Sequence, residues 1–340
     1  MSEAPLLENE PRPELIRRLS TAPLPSFALL AAMQLDVFTT LGDGAQTAEG
    51  LAAALGVRAD KLELLLYALA AVGLLKLDGD RFANDPRVAP FLVRGSSSYV
   101  GDVADALAEM WSAALETAGS IRSGVPQARI DFASMSEEEL ESFYRGFYQE
   151  AVAAGRELAS ARDFSARRAL VDVGGGSGGL AIAVTEAWPD LHATVADLPG
   201  VTPITERYVA RAGAAGRVAV AACDVVAAPP PGTYDVAVLR ALVQVLGPDE
   251  ARRAIGNVAA ALEPGGEVHV IGRILDDSRL SPLPAVLSNL VFLNVFDGGR
   301  SYTEATYRRW LEEAGFVDVV SEIDPEGRGT IRARKREDAS

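Results

Sequence analysis

The chain has 340 residues, and 32 Lys+Arg against 47 Asp+Glu give it a formal charge of −15, which argues against nucleic acid or an anionic membrane surface as partner. Hydrophobic residues make up 49% and charged residues 23%, a globular balance that argues against disorder, and a single Cys excludes a disulfide scaffold. No apolar run is long enough to cross a bilayer and the N-terminus does not read as a signal peptide, so a reduced, cytoplasmic setting is expected.

In chain order, the first ten or so residues are acidic and Pro-punctuated and read as a frayed tail. PELIRRL and then SFALLAAMQLDVFTTLGDG are helical; in the second, Phe27, Leu30, Ala31, Gln34, Leu35 and Phe38 recur at helical spacing before the Gly-Asp-Gly stop. QTAEGLAAALGV is a short helix with Thr47 as N-cap and Gly56 as terminator, followed by the longer apolar helix ADKLELLLYALAAVGLL. LLKLDGDRFAN reads as a ribbon turning at Asp78-Gly79. Helix, turn, helix and ribbon make a winged-helix pattern, which we assign to residues 1–100.

Residues 101–162 read as a helical linker of two stretches, ending SAALETAGSI and RELAS. The second opens on Ser136 followed by acidic residues and places Phe143 and Phe147, with Tyr144 or Tyr148, near one face. From Ala169 the period changes: short β-rich runs (ALVDV, HATVA, RVAVAA, YDVAVLR, EVHVIG) alternate with helices, which argues for βαβ units and a parallel sheet. GFVDVVSEI and RGTIRARK have no helix between them and are expected to pair antiparallel, before a disordered KREDAS tail. The fold class is therefore α/β.

VDVGGGSGGL is the most informative segment: a hydrophobic strand runs into a Gly-rich turn and then a helix, where backbone N–H groups can receive a polar or anionic ligand. Gly174, Gly176 and Gly179 satisfy the dinucleotide fingerprint G-x-G-x-x-G, with Asp197 about 20 residues on. Asp172 before the glycines also gives D-x-G-x-G-x-G through Gly174, Gly176 and Gly178, and Asp224 follows the third strand, where a carboxylate could accept from an adenine amino group. Both features favour a different adenosine cofactor from NAD.

On these residues the sequence resembles the class I S-adenosylmethionine-dependent methyltransferases, and more specifically the small-molecule O-methyltransferases with an N-terminal winged-helix dimerisation domain. DVGGGSGG, VADLPGV, LEPGGEVHVIG and YTEATYRRWLEEAGF follow one another as the corresponding family segments do. The resemblance implies a Rossmann-like seven-stranded sheet over residues 101–340, S-adenosylmethionine as cofactor, a small-molecule substrate and a homodimer. It implies that Gly174, Gly175 and Gly176 line the methionine end, that Asp197 accepts from the ribose hydroxyls, and that Leu198 packs on adenine. Asp224 and Val225 would address the adenine edge, and Arg240 would support the cofactor from below.

The family generally places a His after strand four to take the proton of the substrate hydroxyl. Here that position falls on Val245, or on Gln244 with a one-residue offset, and neither is a base. The orienting Glu of the family falls on Ser301. His192 and His269, the two histidines of the chain, both read as sheet residues. General-base assistance is typically worth about 10²–10⁴-fold, whereas proximity can supply roughly 7–11 kcal/mol. An acidic phenol or enol of an aromatic or polyketide-like metabolite is therefore expected to be methylated by positioning and desolvation, with C-methylation as an alternative. Arg240, Asp297, Tyr302, Asn289 and Asn294 are the remaining polar candidates near the substrate. Met110, Trp111, Phe143, Phe147, Asn289, Phe292, Leu293 and Phe296 are the expected pocket walls.

A methyltransferase-like enzyme that binds the same cofactor but catalyses hydroxylation, decarboxylation or cyclisation is the rival reading. A DNA-binding regulator would need a basic face on RADKLELLLYALAAV, where Arg58 and Lys61 are interleaved with Asp60 and Glu63. Hydride transfer lacks a companion His/Arg or Tyr-x-x-x-Lys set. One Cys and two strand histidines offer no metal cluster, so no metal is expected.

Overall fold

The computed structural model describes residues 13–337 apart from 43 and 97, so the frayed-tail reading of the first ten residues lies outside the described residues. The chain divides between Asp105 and Ala106 into two compact units, a few residues beyond the boundary expected at 100.

The first unit contains α1 (Pro13–Thr21), α2 (Leu24–Gln34), α3 (Val37–Leu41), β1 (Gln46–Thr47), α4 (Ala48–Leu55), α5 (Ala59–Ala71), β2 (Leu75–Asp78), β3 (Arg81–Asn84) and α6 (Ala89–Leu92). The helix expected from Phe27 to Phe38 is in fact two, because Asp36 turns through the left-handed region at φ +57. Thr47 caps α4 by accepting the Gly50 N–H at 3.2 Å, and Gly56 ends it. The ribbon turns one residue later than expected, at Gly79-Asp80, because Asp78 pairs with Arg81. β1 adds to β3, giving the order β1-β3-β2. Leu62, Leu66 and Leu69 of α5 fall on one helical face and pack with Val37, Phe38, Leu41, Leu51 and Phe82. Each such buried side chain contributes roughly 1.5–3 kcal/mol.

The second unit takes over within α7 (Ala104–Leu115) and continues with α8 (Thr117–Ser123) and α9 (Glu137–Ala161). The first linker stretch is thus broken at Glu116 into two helices. α9 starts on a full capping box, Ser136 and Glu139 each accepting from or donating to the other's end of the first turn. Then follow β4 (Ala169–Val173), α10 (Gly179–Ala187), β5 (His192–Asp197), α11 (Thr202–Arg211), β6 (Val218–Ala222), β7 (Tyr234–Arg240), α12 (Pro248–Ala261), β8 (Leu262–Leu275), α13 (Leu283–Val295), β9 (Tyr302–Thr303), α14 (Glu304–Glu313), β10 (Phe316–Ile323) and β11 (Arg328–Lys335).

The main sheet runs β10-β11-β8-β7-β4-β5-β6, with the two-residue β9 beside the end of β8. β6, β5, β4, β7 and β8 are mutually parallel, and β11 runs antiparallel to both β8 and β10. Alternation splits the strands cleanly between two cores. Leu170, Val236 and Val238 face α9 and α10, while Val171, Val173, Ala237 and Leu239 face α12 and α14. Burial on both faces explains why these strands read as nearly continuous hydrophobic runs. Lys335 still belongs to β11 and the Arg336 N–H bonds the Gly315 carbonyl at 3.1 Å, so the tail reading applies at most to residues 338–340, outside the described residues. Among the described residues, no helix is long and apolar enough to cross a membrane.

Candidate active site

β4 lies at the centre of the sheet with β5 on one side and β7 on the other, the point where the strand order reverses. Ligands bind outside the carboxyl ends of the strands at such a point. Here a cavity of about 1290 Å³ opens, lined from the glycine loop, the ends of β5 and β7, and helices α7, α9 and α13. Gly174, Gly175, Gly176, Asp197, Leu198, Asp224, Val225 and Arg240 all line it.

The loop is held from beneath by carboxylates. Asp197, at the end of β5, accepts the Gly176 N–H at 2.8 Å on one oxygen and its neighbour's Leu198 N–H at 2.7 Å on the other. Burial pushes its carboxyl up to about 6, against the pull of those two N–H groups. Asp172 is 1% exposed, and both of its oxygens are buried without a hydrogen-bond partner. Burial raises this carboxyl to about 7, with Arg240 pulling the other way. A Cβ at Gly175 would stand 2.6 Å from the Asp172 carboxylate, so only glycine lets the loop pass over it. Gly176 has φ +56, and a Cβ there would meet the Tyr144 ring at 2.3 Å. Tyr144 thus sits directly on the loop, and burial with the nearby Asp197 charge pushes its phenol far above its usual range. Arg240 is paired with Glu150 of α9 at 2.9 Å. Asp224 accepts the Val226 N–H at 2.9 Å, a turn contact made while it lines the cavity.

The other end is aromatic. Met110, Phe143, Phe147, Phe292 and Phe296 line it, joined by Phe132. Phe132 stands 5.2 Å from Phe143 and 6.3 Å from Phe296, ring centre to ring centre, and closes the box. It lies between helices, where no periodicity marked it. Its place comes from backbone bonds: the N–H groups of Ala128 and Ile130 donate to Asn294 and Val295 at the end of α13.

Five other expected residues lie elsewhere. Trp111 does not line the cavity, being one helical step of about 100° from Met110. Asn289 and Leu293 of α13 line a second cavity of about 640 Å³, which Phe296 borders as well. Asn289 accepts the Ser301 N–H at 2.7 Å. Tyr302 also borders the second cavity; its hydroxyl donates to the Leu246 carbonyl at 2.6 Å, and burial pushes it up to about 12. Asn294 is fully buried and ties α13 to α8 through Ser120 and Thr117.

Where a base was sought, Val245 and Gln244 face the cavity from a single 3₁₀ turn. The Gln244 side-chain carbonyl is occupied by the Arg273 N–H at 2.7 Å. Ala241, at the end of β7, holds φ +56, a strained backbone that swings the chain into that turn. Ser301 is buried and donates to the Ala285 carbonyl at 3.0 Å. Asp297 lines the cavity, paired with Arg129 at 2.9 Å. Neither histidine lines it: His192 opens β5, and His269 is fully buried in β8 against Phe164, where burial lowers its pKa and keeps it neutral.

Comparison with known proteins shows the family. The model of the O-methyltransferase domain matches residues 120–317, and that of the O-methyltransferase dimerisation domain matches residues 18–94. The 3-hydroxy-5-methyl-1-naphthoate 3-O-methyltransferase of Streptomyces sahachiroi is 32% identical over 95% of both chains. The tetracenomycin polyketide synthesis 8-O-methyltransferase of Streptomyces glaucescens is 32% identical over 89% of this chain and 91% of its own. The N,N-dimethyltransferase OxyT of Streptomyces rimosus is 31% identical over 90% of this chain and 92% of its own. An O-methyltransferase family protein from Burkholderia thailandensis shares the fold, with a TM-score of 0.83 at 22% identity over 98% of this chain and all of that one. The chain belongs to the S-adenosylmethionine-dependent O-methyltransferase family.

Proposed function

We propose that the protein methylates an acidic hydroxyl of a fused-ring aromatic or polyketide-like metabolite, without a side-chain base. The observation that carries this reading is one cavity with a cofactor cradle at one end and an aromatic box with Val245 at the other. The residues fit S-adenosylmethionine: the glycine loop has no Cβ to obstruct the approach, and Asp197, Asp224 and Arg240 line the cavity beside it. Asp197 has lone pairs left for ribose hydroxyls, and Leu198 and Val225 offer apolar surface to a flat base. When bound, the cofactor supplies a methyl group on a positively charged sulfur.

The chain's own residues then do three things. Asp197 and Arg240 would fix the ribose and methionine parts. Phe132, Phe143, Phe147, Phe292 and Phe296 hold a flat ring system and exclude water, so the acceptor oxygen is presented in line. Val245 offers no base at the position after β7, so the hydroxyl gives its proton to solvent before the ring system is enclosed, and the nearby positive charge favours the phenolate. Held in this way, the acceptor oxygen would face the methyl group that the bound cofactor would supply. Relatives that act on a hydroxynaphthoate and on a polyketide support the acceptor class.

The test is mass spectrometry of S-adenosylhomocysteine and methylated product across phenols of graded acidity. Rates should rise with acceptor acidity, and the pH profile should follow the acceptor's own pKa. Absence of S-adenosylhomocysteine with every phenol sinks the reading. A methyl group found on carbon or nitrogen redirects it. We further propose a homodimer formed through residues 18–94, where Leu24, Leu64 and Tyr67 leave apolar surface exposed. Light scattering that shows a monomer at micromolar concentration would count against it.

A further inference from the structure

The second cavity differs from the first in the sign of its charge. The main cavity is lined by eight carboxylates and three arginines. The second is lined by Arg279, Arg300 and Arg309 and by a single carboxylate, Asp297. The two meet along Phe296, Asp297 and Gly298, which line both.

Those three arginines are poorly neutralised. Asp297 is held by Arg129 at 2.9 Å. Arg300 makes only a 3.3 Å contact to the Gly298 carbonyl. Arg309 reaches Glu313 at 4.0 Å, while the same carboxylate sits 3.1 Å from Arg252. The Arg279 guanidinium has no hydrogen bond or ion pair among the described residues. All three are solvent-exposed, and in a chain of net charge −15 they make this hollow the more positive of the two. Leu275, Leu293 and the buried Trp310 also line the hollow, so an anion there meets apolar carbon beside the guanidinium groups.

Resting on the methyl-transfer reading above, we propose that this second cavity takes the carboxylate of the acceptor. The acceptor is then a hydroxylated aryl carboxylic acid lying across the Phe296–Gly298 edge, its acid group among the arginines and its hydroxyl toward the cofactor end. The polarity of the two hollows orients it: the reverse placement puts a carboxylate among carboxylates, and this one pairs it with guanidinium groups.

The experiment titrates enzyme loaded with S-adenosylhomocysteine with 3-hydroxy-2-naphthoate, with its methyl ester and with 2-naphthol, by calorimetry. Wild type is compared with Arg300→Ala/Arg309→Ala and with Arg279→Ala, whose melting temperatures report folding. The acid should bind wild type at least tenfold more tightly than the ester, and more weakly in high salt. The double variant should bring acid and ester within about twofold of each other, with ester affinity unchanged. Equal binding of acid and ester by wild type, a preference that survives the variants, or acid and ester bound together on one chain would each overturn the proposal. No turnover is needed, so the two readings separate: an acid held by the arginines but never methylated removes the function and keeps this subsite. Methylation without a carboxylate preference does the opposite.

Discussion

The two ends of the main cavity are built on different principles. At the glycine loop, position comes from backbone: N–H groups of Gly176 and Leu198 fix Asp197, and missing Cβ atoms leave room for Asp172 and Tyr144. At the aromatic end, position comes from packing between side chains on three separate segments, α9, α13 and the stretch around Phe132. A backbone-built site tolerates little change, because each contact is made by an atom the residue cannot move. A packed box can be re-cut by substitution, which suits a family whose relatives act on oxygen and on nitrogen.

That contrast can be tested directly, and the largest effect is expected at the loop. Asp197→Ala removes a charged acceptor, and loss of two charge-assisted hydrogen bonds at about 1.5–3 kcal/mol each should weaken S-adenosylhomocysteine binding about 10²-fold or more by calorimetry. Affinity within threefold of wild type would show that the loop does not depend on it. Gly176→Ala should cost about 1–3 kcal/mol of stability in denaturant melts, because it strains a left-handed residue and strikes Tyr144. Adding Tyr144→Ala should recover part of that loss; no recovery would place the strain elsewhere.

The aromatic end should respond less. Val245→His with Ser301→Glu restores a base and its orienting carboxylate. With an acidic phenol the gain in kcat should stay below about tenfold, against the 10²–10⁴ general-base assistance supplies when chemistry depends on it. A larger gain would mean that the natural acceptor is less acidic than proposed.

The smallest effect is one of pH. Asp172 and Asp197 have carboxyls raised to about 7 and about 6 in the folded protein. Raised carboxyls make the free protein more stable as the pH falls from about 7 toward 4, because the folded state binds more protons there. A cationic cofactor prefers both groups ionised, so its affinity should fall severalfold over the same window. Thermal melts with and without S-adenosylmethionine should therefore show a smaller ligand-induced shift at pH 5 than at pH 8. A shift that is independent of pH would mean these carboxyls do not face the cofactor's charge.

How much of this could be read from the sequence follows the same division. The strands of the sheet, the antiparallel end, the caps at Thr47 and Ser136 and the residues of the glycine loop were readable because each depends on neighbours in sequence. The break at Asp36 and the split at Glu116 were not, since helical spacing continues through both. Helical spacing groups Leu293 with Phe292 and Phe296, and the family resemblance puts Trp111 on the wall beside Met110, but one step of helix rotation decides whether each meets the main cavity. Phe132 was missed because an irregular segment carries no period, and its position is set by bonds to α13, far off in sequence.

The excess of carboxylates in the main cavity bears on how the enzyme recovers after each cycle. Methyl transfer discharges the sulfur, so the spent cofactor is neutral there while the fresh one carries a positive charge. A hollow with this much negative charge holds the fresh molecule by an attraction the spent one lacks. Such a hollow would favour exchange of the spent cofactor for a new one.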